Sequence, residues 1–215
     1  MRLKKSVNKH KTLNNYSTKE DILGDIMKGL AVVISGHSGA GKSTVIDLVM
    51  KALPDMQFSV SCTTRKPRAY EVDGVNYYFI TEEQFDKYVE DDAFVEHTRT
   101  FTYHYGTLKS EIERSICNGL DILLELNVVG AENLKKLYPE DCLTIFIDPP
   151  SIDDLKARLI GRKSETPETL ARRLAEIDFE RTKICNYDHV VINDVAEDCA
   201  NKILELIKTA HQNRI

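Results

Sequence analysis

The sequence predicts an α/β protein with a central parallel sheet, flanking helices and insertions covering a cleft. Three observations predict it. Apolar runs of strand length at 30–34, 121–126, 143–147 and 189–192 alternate with segments of helical periodicity. The first run leads into a glycine-rich turn that opens a helix. Between Glu71 and Thr107 the alternation breaks into short β-like pieces, many tyrosines and one helical stretch, 82–90, the pattern of an antiparallel insertion.

In chain order, residues 1–28 predict an extension. It starts with Arg2, Lys4, Lys5, Lys9, His10 and Lys11 and carries few large apolar residues before Ile22. Ser17-Thr18-Lys19-Glu20 fits a capping box, and Ile22, Leu23 and Ile26 would line one face of a short helix. Acidic residues at Glu20, Asp21 and Asp25 argue against an organellar transit peptide, and no apolar segment follows the basic start to make a secretory signal.

The run 30–34, Leu-Ala-Val-Val-Ile, has the β-branched content of a buried strand. Gly36-His37-Ser38-Gly39-Ala40-Gly41-Lys42-Ser43 then fits G-x-x-x-x-G-K-[ST], and Thr44, Val45, Ile46, Leu48 and Val49 continue as a helix. Strand, glycine-rich loop and helix arrive in the order a phosphate cradle needs. Consecutive backbone N–H groups turn inward on a polyphosphate, and the helix adds its positive end. Lys42 would reach the β- and γ-phosphates of a nucleoside triphosphate, and the Ser43 hydroxyl would hold Mg2+.

After a strand at 58–61 comes a polar turn with Arg65, Pro67 and Arg68. Two arginines past a strand end suit a bidentate grip on a second phosphate, although the same residues also suit a solvated surface. Residues 108–118 read as a helix ended by Gly119, 121–126 as a buried strand and 131–137 as a helix. After the strand 143–147, Ser151 caps a helix through Leu155 and Arg158. A polar break at 161–167 precedes a long helix through Arg173, Ile177 and Phe179. The strand 189–192 and the helix 196–210 close the chain.

Composition narrows the class. At 215 residues and 42% hydrophobic content, the chain fills a substantial core without disulfides. Five cysteines, odd in number and without a C-x-x-C pair, suit reduced thiols in a cytoplasmic protein rather than a zinc site. A net charge of −5 disfavours a nucleic-acid surface, and no apolar run reaches membrane-spanning length. Small-molecule substrates are the partners expected, for a monomer or weak homodimer.

The run 58–79, FSVSCTTRKPRAYEVDGVNYYF, the phosphate loop and Tyr105-Gly106-Thr107 resemble guanylate kinase. So does the downstream order Asp148-Pro149-Pro150-Ser151, Arg158, Arg162, Arg173 and Val191-Ile192-Asn193-Asp194. The resemblance covers 30–210 and implies a phosphate-loop nucleoside monophosphate kinase fold. Its core would be 30–61, 108–158 and 168–210, with a monophosphate-binding insertion at 62–107 and a lid at 159–167. Residues 1–29 would be an extension and 211–215 a tail.

It further implies Mg2+-assisted transfer from ATP to GMP, and to dGMP. Ser61, Arg65, Arg68, Tyr77 and Tyr105 would hold the GMP phosphate, with Glu71 bracing the arginines. Glu96 and Thr107 would read guanine, because a buried carboxylate accepts from a base N1–H that adenine lacks. Arg158, Arg162 and Arg173 would close over the transferring group beside Lys42, and the chemistry asks for no histidine.

The chain departs from the family pattern at several places. Leu124-Glu125-Leu126-Asn127 stands where Leu-Asp-Ile-Asp is usual. Glu125 would still order the metal, and Asn127 would meet the acceptor nucleoside with an amide. Tyr70 and Thr102-Tyr103 replace a glycine and a Gly-Asn, and His37 replaces a proline and reads as neutral. The changes at Glu125 and Asn127 leave open a shifted acceptor, such as IMP or another phosphorylated metabolite. A non-catalytic binding module on the same fold is the other alternative.

Overall fold

Strands as apolar as 31–34 and 122–124 need cover on both faces, and a parallel sheet between two helical layers supplies it. The computed structural model describes residues 29–99, 102–151, 153–155 and 167–214. In chain order the elements are β1 (Ala31–Gly36), α1 (Lys42–Ala52), β2 (Gln57–Phe58), β3 (Cys62–Thr63), β4 (Tyr78–Phe79) and α2 (Glu82–Glu90). There follow β5 (Phe94–Arg99), β6 (His104–Leu108), α3 (Lys109–Cys117), β7 (Ile122–Glu125) and α4 (Val128–Leu137). The last are β8 (Cys142–Asp148), α5 (Pro167–Lys183), a 3-10 turn (Ile184–Asn186), β9 (His189–Ile192) and α6 (Ala196–Gln212).

The main sheet has the order β2-β7-β1-β8-β9, with every pairing parallel. Side-chain alternation along β1 divides the core. Val32 and Ile34 pack with Val45 and Val49 of α1 and with Ile203 and Ile207 of α6. Ala31 and Val33 face the other way, toward Ile112 and Ile116 of α3 and Ala131 and Leu134 of α4. Each fully buried Val, Ile or Leu contributes about 1.5–3 kcal/mol. The order places the phosphate loop after the central strand, at the carboxyl edge where open α/β sheets bind ligands.

The second sheet has the order β4-β3-β6-β5. It is antiparallel across β3–β6 and β6–β5, but β4 joins β3 in parallel, so the insertion is mixed rather than wholly antiparallel. A bulge between Phe94 and Glu96 lets two successive residues, Phe94 and Val95, both be buried. Phe94 joins Phe85 and Cys62 under the small sheet, while Val95 joins the core beside α4.

Several boundaries differ from the sequence reading. The expected strand 58–61 divides between the sheets. Ser59 N–H makes the last main-sheet bond, to Leu123 O at 2.9 Å. Val60 N–H instead donates to Glu111 Oε2 at 3.0 Å, beside Ser59 Oγ at 3.1 Å. Burial pushes the Glu111 carboxyl up, and these two bonds partly offset that. The tyrosine-rich stretch 75–80 contributes only Tyr78 and Phe79 to a strand.

Helix α4 starts at Val128 rather than Ala131, because Asn127 caps it: Oδ1 accepts from Val129 N and Gly130 N at 3.0 and 2.8 Å. The expected caps at Ser151, whose Oγ accepts from Asp154 N at 3.0 Å, and at Gly119, with φ 73°, are present. Among the described residues no helix is long and apolar enough to cross a membrane. The extension and its capping box fall outside the described residues, as do Arg158 and Arg162 and the lid up to residue 166.

Phe85 is fully buried between α2 and the small sheet, with Phe94 at 5.0 Å between ring centroids. Phe85→Ala is expected to lower stability by about 3–5 kcal/mol in urea unfolding. A loss below about 1 kcal/mol would show that the insertion does not unfold cooperatively with the core.

Candidate active site

The donor side is built by backbone. Gly39 and Gly41 take φ values of 90° and 86°, a left-handed conformation that costs glycine little. Gly41 caps α1 without a side-chain hydrogen bond, and the first turn of that helix has no acidic residue. Its positive end is therefore left for an anion. Ser43 and Thr44 are exposed on that turn. Lys42 Nζ donates to Gly36 O at 2.9 Å and His37 O at 3.2 Å, and lies 3.7 Å from Glu125 Oε1.

Two contacts fix the loop's path. A Cβ on Gly36 would lie 2.3 Å from Ile147 O, so only glycine passes there. Asn193 Nδ2 donates to Ala40 O at 2.7 Å, and a Cβ on Gly41 would lie 2.6 Å from that nitrogen. Asn193 enters the sequence reading only within the run Val191-Ile192-Asn193-Asp194 and without a role; that role became visible once β9 lay beside β8. Ala40 is buried, Ser38 has a partner of its own, and His37 is fully buried among side chains.

The acceptor side is a cavity of about 140 Å³ lined by Phe58, Ser61, Tyr77, Thr107, Glu125 and Leu126, among others. Within it Thr107 Oγ1 donates to Glu96 Oε1 at 3.0 Å. A hydroxyl has one proton, so in the neighbouring 3.3 Å contact Ser61 Oγ is the donor to Thr107. Ser61, expected among the phosphate-gripping residues, is hydrogen-bonded to the Glu96–Thr107 pair. Burial pushes the Glu96 carboxyl up, and the Thr107 bond opposes this.

Glu96 rests on the start of α4, where a Cβ on Gly130 would come within 2.7 Å of its Cγ. Asn133 Nδ2 ties that helix to Val95 O at 3.1 Å. Gly130 and Asn133 were missed by sequence reasoning; Asn127 as a helix cap is the signal that could have found the turn they sit on. Asn127, expected to meet the acceptor nucleoside, has its oxygen engaged as that cap and is not among the residues lining the cavity.

Arg65 and Glu71 form a bidentate pair at 2.9 and 2.8 Å, with Glu71 Oε2 also accepting from Arg68 N at 2.7 Å. The Arg65 guanidinium lies 5.4 Å from the centre of the Tyr77 ring, and Tyr77 meets Tyr105 at 6.0 Å. Arg68 diverges from this set: its Nη1 donates to Tyr70 Oη at 3.1 Å on the surface. The tyrosine at a usually glycine position supplies that acceptor. Glu125, at the carboxyl end of β7, both lines the acceptor cavity and approaches Lys42. Arg173 lies on the backbone of α5, but its side chain is outside the described set.

The chain resembles known proteins over most of its length. The family model described as guanylate kinase matches residues 28–210. A guanylate kinase of Chlorobium luteolum is 46% identical over 176 residues, covering 82% of this chain and 89% of the relative. One of Clostridium perfringens is 42% identical over 188 residues, covering 87% and 86%. The crystal structure of guanylate kinase from Anaplasma phagocytophilum superposes with a TM-score of 0.66 at 29% identity, covering 86% of this chain and 87% of that one.

The Arg65 bonds, and then the Arg68 N–H, hold the Glu71 carboxyl at about 2, below its ordinary 4.5. A depressed carboxylate adds stability above the unfolded value and loses it as pH falls through the folded one. The stability gap between the parent and Glu71→Gln is therefore expected to be full above pH 4.5 and to close toward pH 2. Urea midpoints across that range check it; a gap independent of pH would contradict the pairing.

Proposed function

The chain belongs to the guanylate kinase family, and we propose that its cleft moves the terminal phosphoryl group of ATP onto GMP, and dGMP, through the residues assembled here. The observation that carries this is Glu125, one carboxylate lining the acceptor cavity and lying 3.7 Å from the phosphate-loop lysine. Donor and acceptor sides are neighbours.

In this reading the loop 36–44 cradles the ATP phosphates with backbone N–H groups, and Lys42 leaves its own carbonyl partners to pair with the β- and γ-phosphates. Arg65, Tyr77 and Tyr105 hold the GMP phosphate, with Arg68 joining by leaving Tyr70. Glu71 keeps Arg65 pointed. Glu96 and Thr107, with Ser61 behind them, read the guanine edge: the carboxylate accepts from N1–H and the 2-amino group. Asn127 contributes by capping the helix on which Glu96 rests.

The acceptor phosphate is already ionised near neutral pH and needs no base. One of its oxygens forms the new bond to the γ-phosphorus as the bond to the β,γ-bridging oxygen breaks, and ADP leaves with that electron pair. The obstacle is the approach of two polyanions, which Lys42 and the arginines offset electrostatically. Arg162 in the lid, 159–167, and Arg158 and Arg173 on either side of it are proposed to add charge over the moving group. The insertion 62–107 is the acceptor-binding unit of this reading, and 30–61, 108–158 and 168–210 its core.

The residues suit a magnesium ion. The exposed Ser43 hydroxyl and the 42%-exposed Glu125 carboxylate offer hard oxygen ligands beside the phosphate cradle. Mg2+ prefers one or two such groups together with waters and substrate phosphates. When bound, it would neutralise charge on the β- and γ-oxygens.

Coupled ADP-release assays with GMP, dGMP, IMP and AMP test the acceptor. GMP is expected to be preferred over AMP. Glu96→Gln is expected to lower kcat/KM for GMP by about ten- to a hundredfold, the effect of losing a charged hydrogen bond. Equal use of AMP and GMP by the parent would overturn the guanine assignment.

A further inference from the structure

His37 sits inside the phosphate loop, yet its ring is fully buried and the transfer chemistry does not use it. Two elements, α5 and β8, converge on it. Nδ1 lies 2.6 Å from Glu180 Oε2 on α5, a hydrogen bond made across 143 residues of chain. Nε2 lies 3.4 Å from Asp148 Oδ1 at the end of β8, near enough for charge to matter, although neither atom makes a hydrogen bond. The ring edge meets Phe146 at 5.0 Å and 77°, and Phe146 meets Tyr187, just beyond α5, at 5.2 Å. The same residue's backbone carbonyl accepts from Lys42 at 3.2 Å.

One residue thus faces the donor lysine with its main chain and α5 with its side chain. Helix α5 begins at Pro167, where the lid is proposed to end, and carries Arg173 in its first half. A proline at this position has no nitrogen on its side chain to offer Glu180. We infer that His37 is a positioning residue that registers α5 against the phosphate loop through Glu180, so that seating the donor nucleotide and ordering α5 are one event.

The energetic reasoning is local. Nδ1 and Glu180 meet where water is excluded on the histidine side, and a short hydrogen bond to a carboxylate is about twice as strong as a neutral one. Removing either partner leaves the other unpaired, so the two residues act as a unit rather than separately. The contact lies apart from the acceptor cavity: among the described residues none that touches His37 lines it.

The inference rests on the kinase reading, and the test separates them. Turnover of the parent with ATP and GMP checks the kinase reading alone. Against it stand His37→Phe, which keeps the ring and its packing on Phe146 but removes both nitrogens, Glu180→Gln, and the double variant. Each single variant is expected to lower kcat about tenfold and leave KM for GMP within about twofold, with the double variant no worse than either single, as coupled partners behave. His37→Asn, which retains an N–H donor near Nδ1, is expected to recover most of the rate.

A second readout needs no turnover. Hydrogen exchange of amides in α5 is expected to slow when ATP is added to the parent, and not to respond in His37→Phe. Rate losses that multiply in the double variant, an unchanged kcat in His37→Phe, or ATP-induced protection of α5 that persists without the imidazole would each overturn the inference. A parent that shows no turnover but does show this protection would sink the kinase reading and leave the coupling standing.

Discussion

The hydrogen bond from Asn193 Nδ2 to Ala40 O, 2.7 Å long and fully buried, is the constraint on which the donor side depends. A phosphate cradle works only if the loop's N–H groups converge inward, which requires its carbonyls to find partners elsewhere. Asn193 is that partner for Ala40. Its own N–H is held by Asp148 O at 2.8 Å, so the clamp is anchored at the end of the parallel sheet. Gly41 leaves room for the amide, and Gly36 passes Ile147 O where no other residue would fit. The loop is therefore shaped by the sheet beneath it as much as by its own glycines.

The acceptor side obeys a different rule. It is assembled from side chains whose positions are set by strand pairing within the small sheet and by its packing against the core. Opposed positions on β5 and β6 bring Glu96 beside Thr107, and the missing side chain of Gly130 lets Glu96 lie against the start of α4. Buried Glu111 holds the crossing at Ser59 and Val60 that brings Ser61 into the same network. Glu71 presets Arg65, since a guanidinium already held in a fork loses little freedom when it meets a phosphate. Preorganisation of this kind leaves less reorganisation to oppose transfer.

Much of this was legible in the sequence. The phosphate loop, the alternation of β1, β7, β8 and β9 with helices, and α2 from Glu82 to Glu90 follow from local pattern, because hydrophobic period and loop chemistry are local properties. The break in strand 58–61 was not legible: its cause, Glu111, lies half a hundred residues away and acts through a buried carboxylate. Asn127 read as an acceptor-side residue rather than as a helix cap, so the helix that starts at Val128 was placed too late. His37 read as neutral because nothing near it in sequence names Glu180. Asn193 and Gly130 act by distance and by absence of a side chain, which a single sequence does not display.

Two phosphate sites, built by different means, lie side by side, each with its own charged contact. Calorimetric titration of ATP and of GMP into the parent, Lys42→Ala and Arg65→Ala tests this most directly. Lys42→Ala should weaken ATP by about tenfold or more and spare GMP, and Arg65→Ala should do the reverse, each change removing one charged contact to phosphate. Loss of both nucleotides together in either variant would contradict the account.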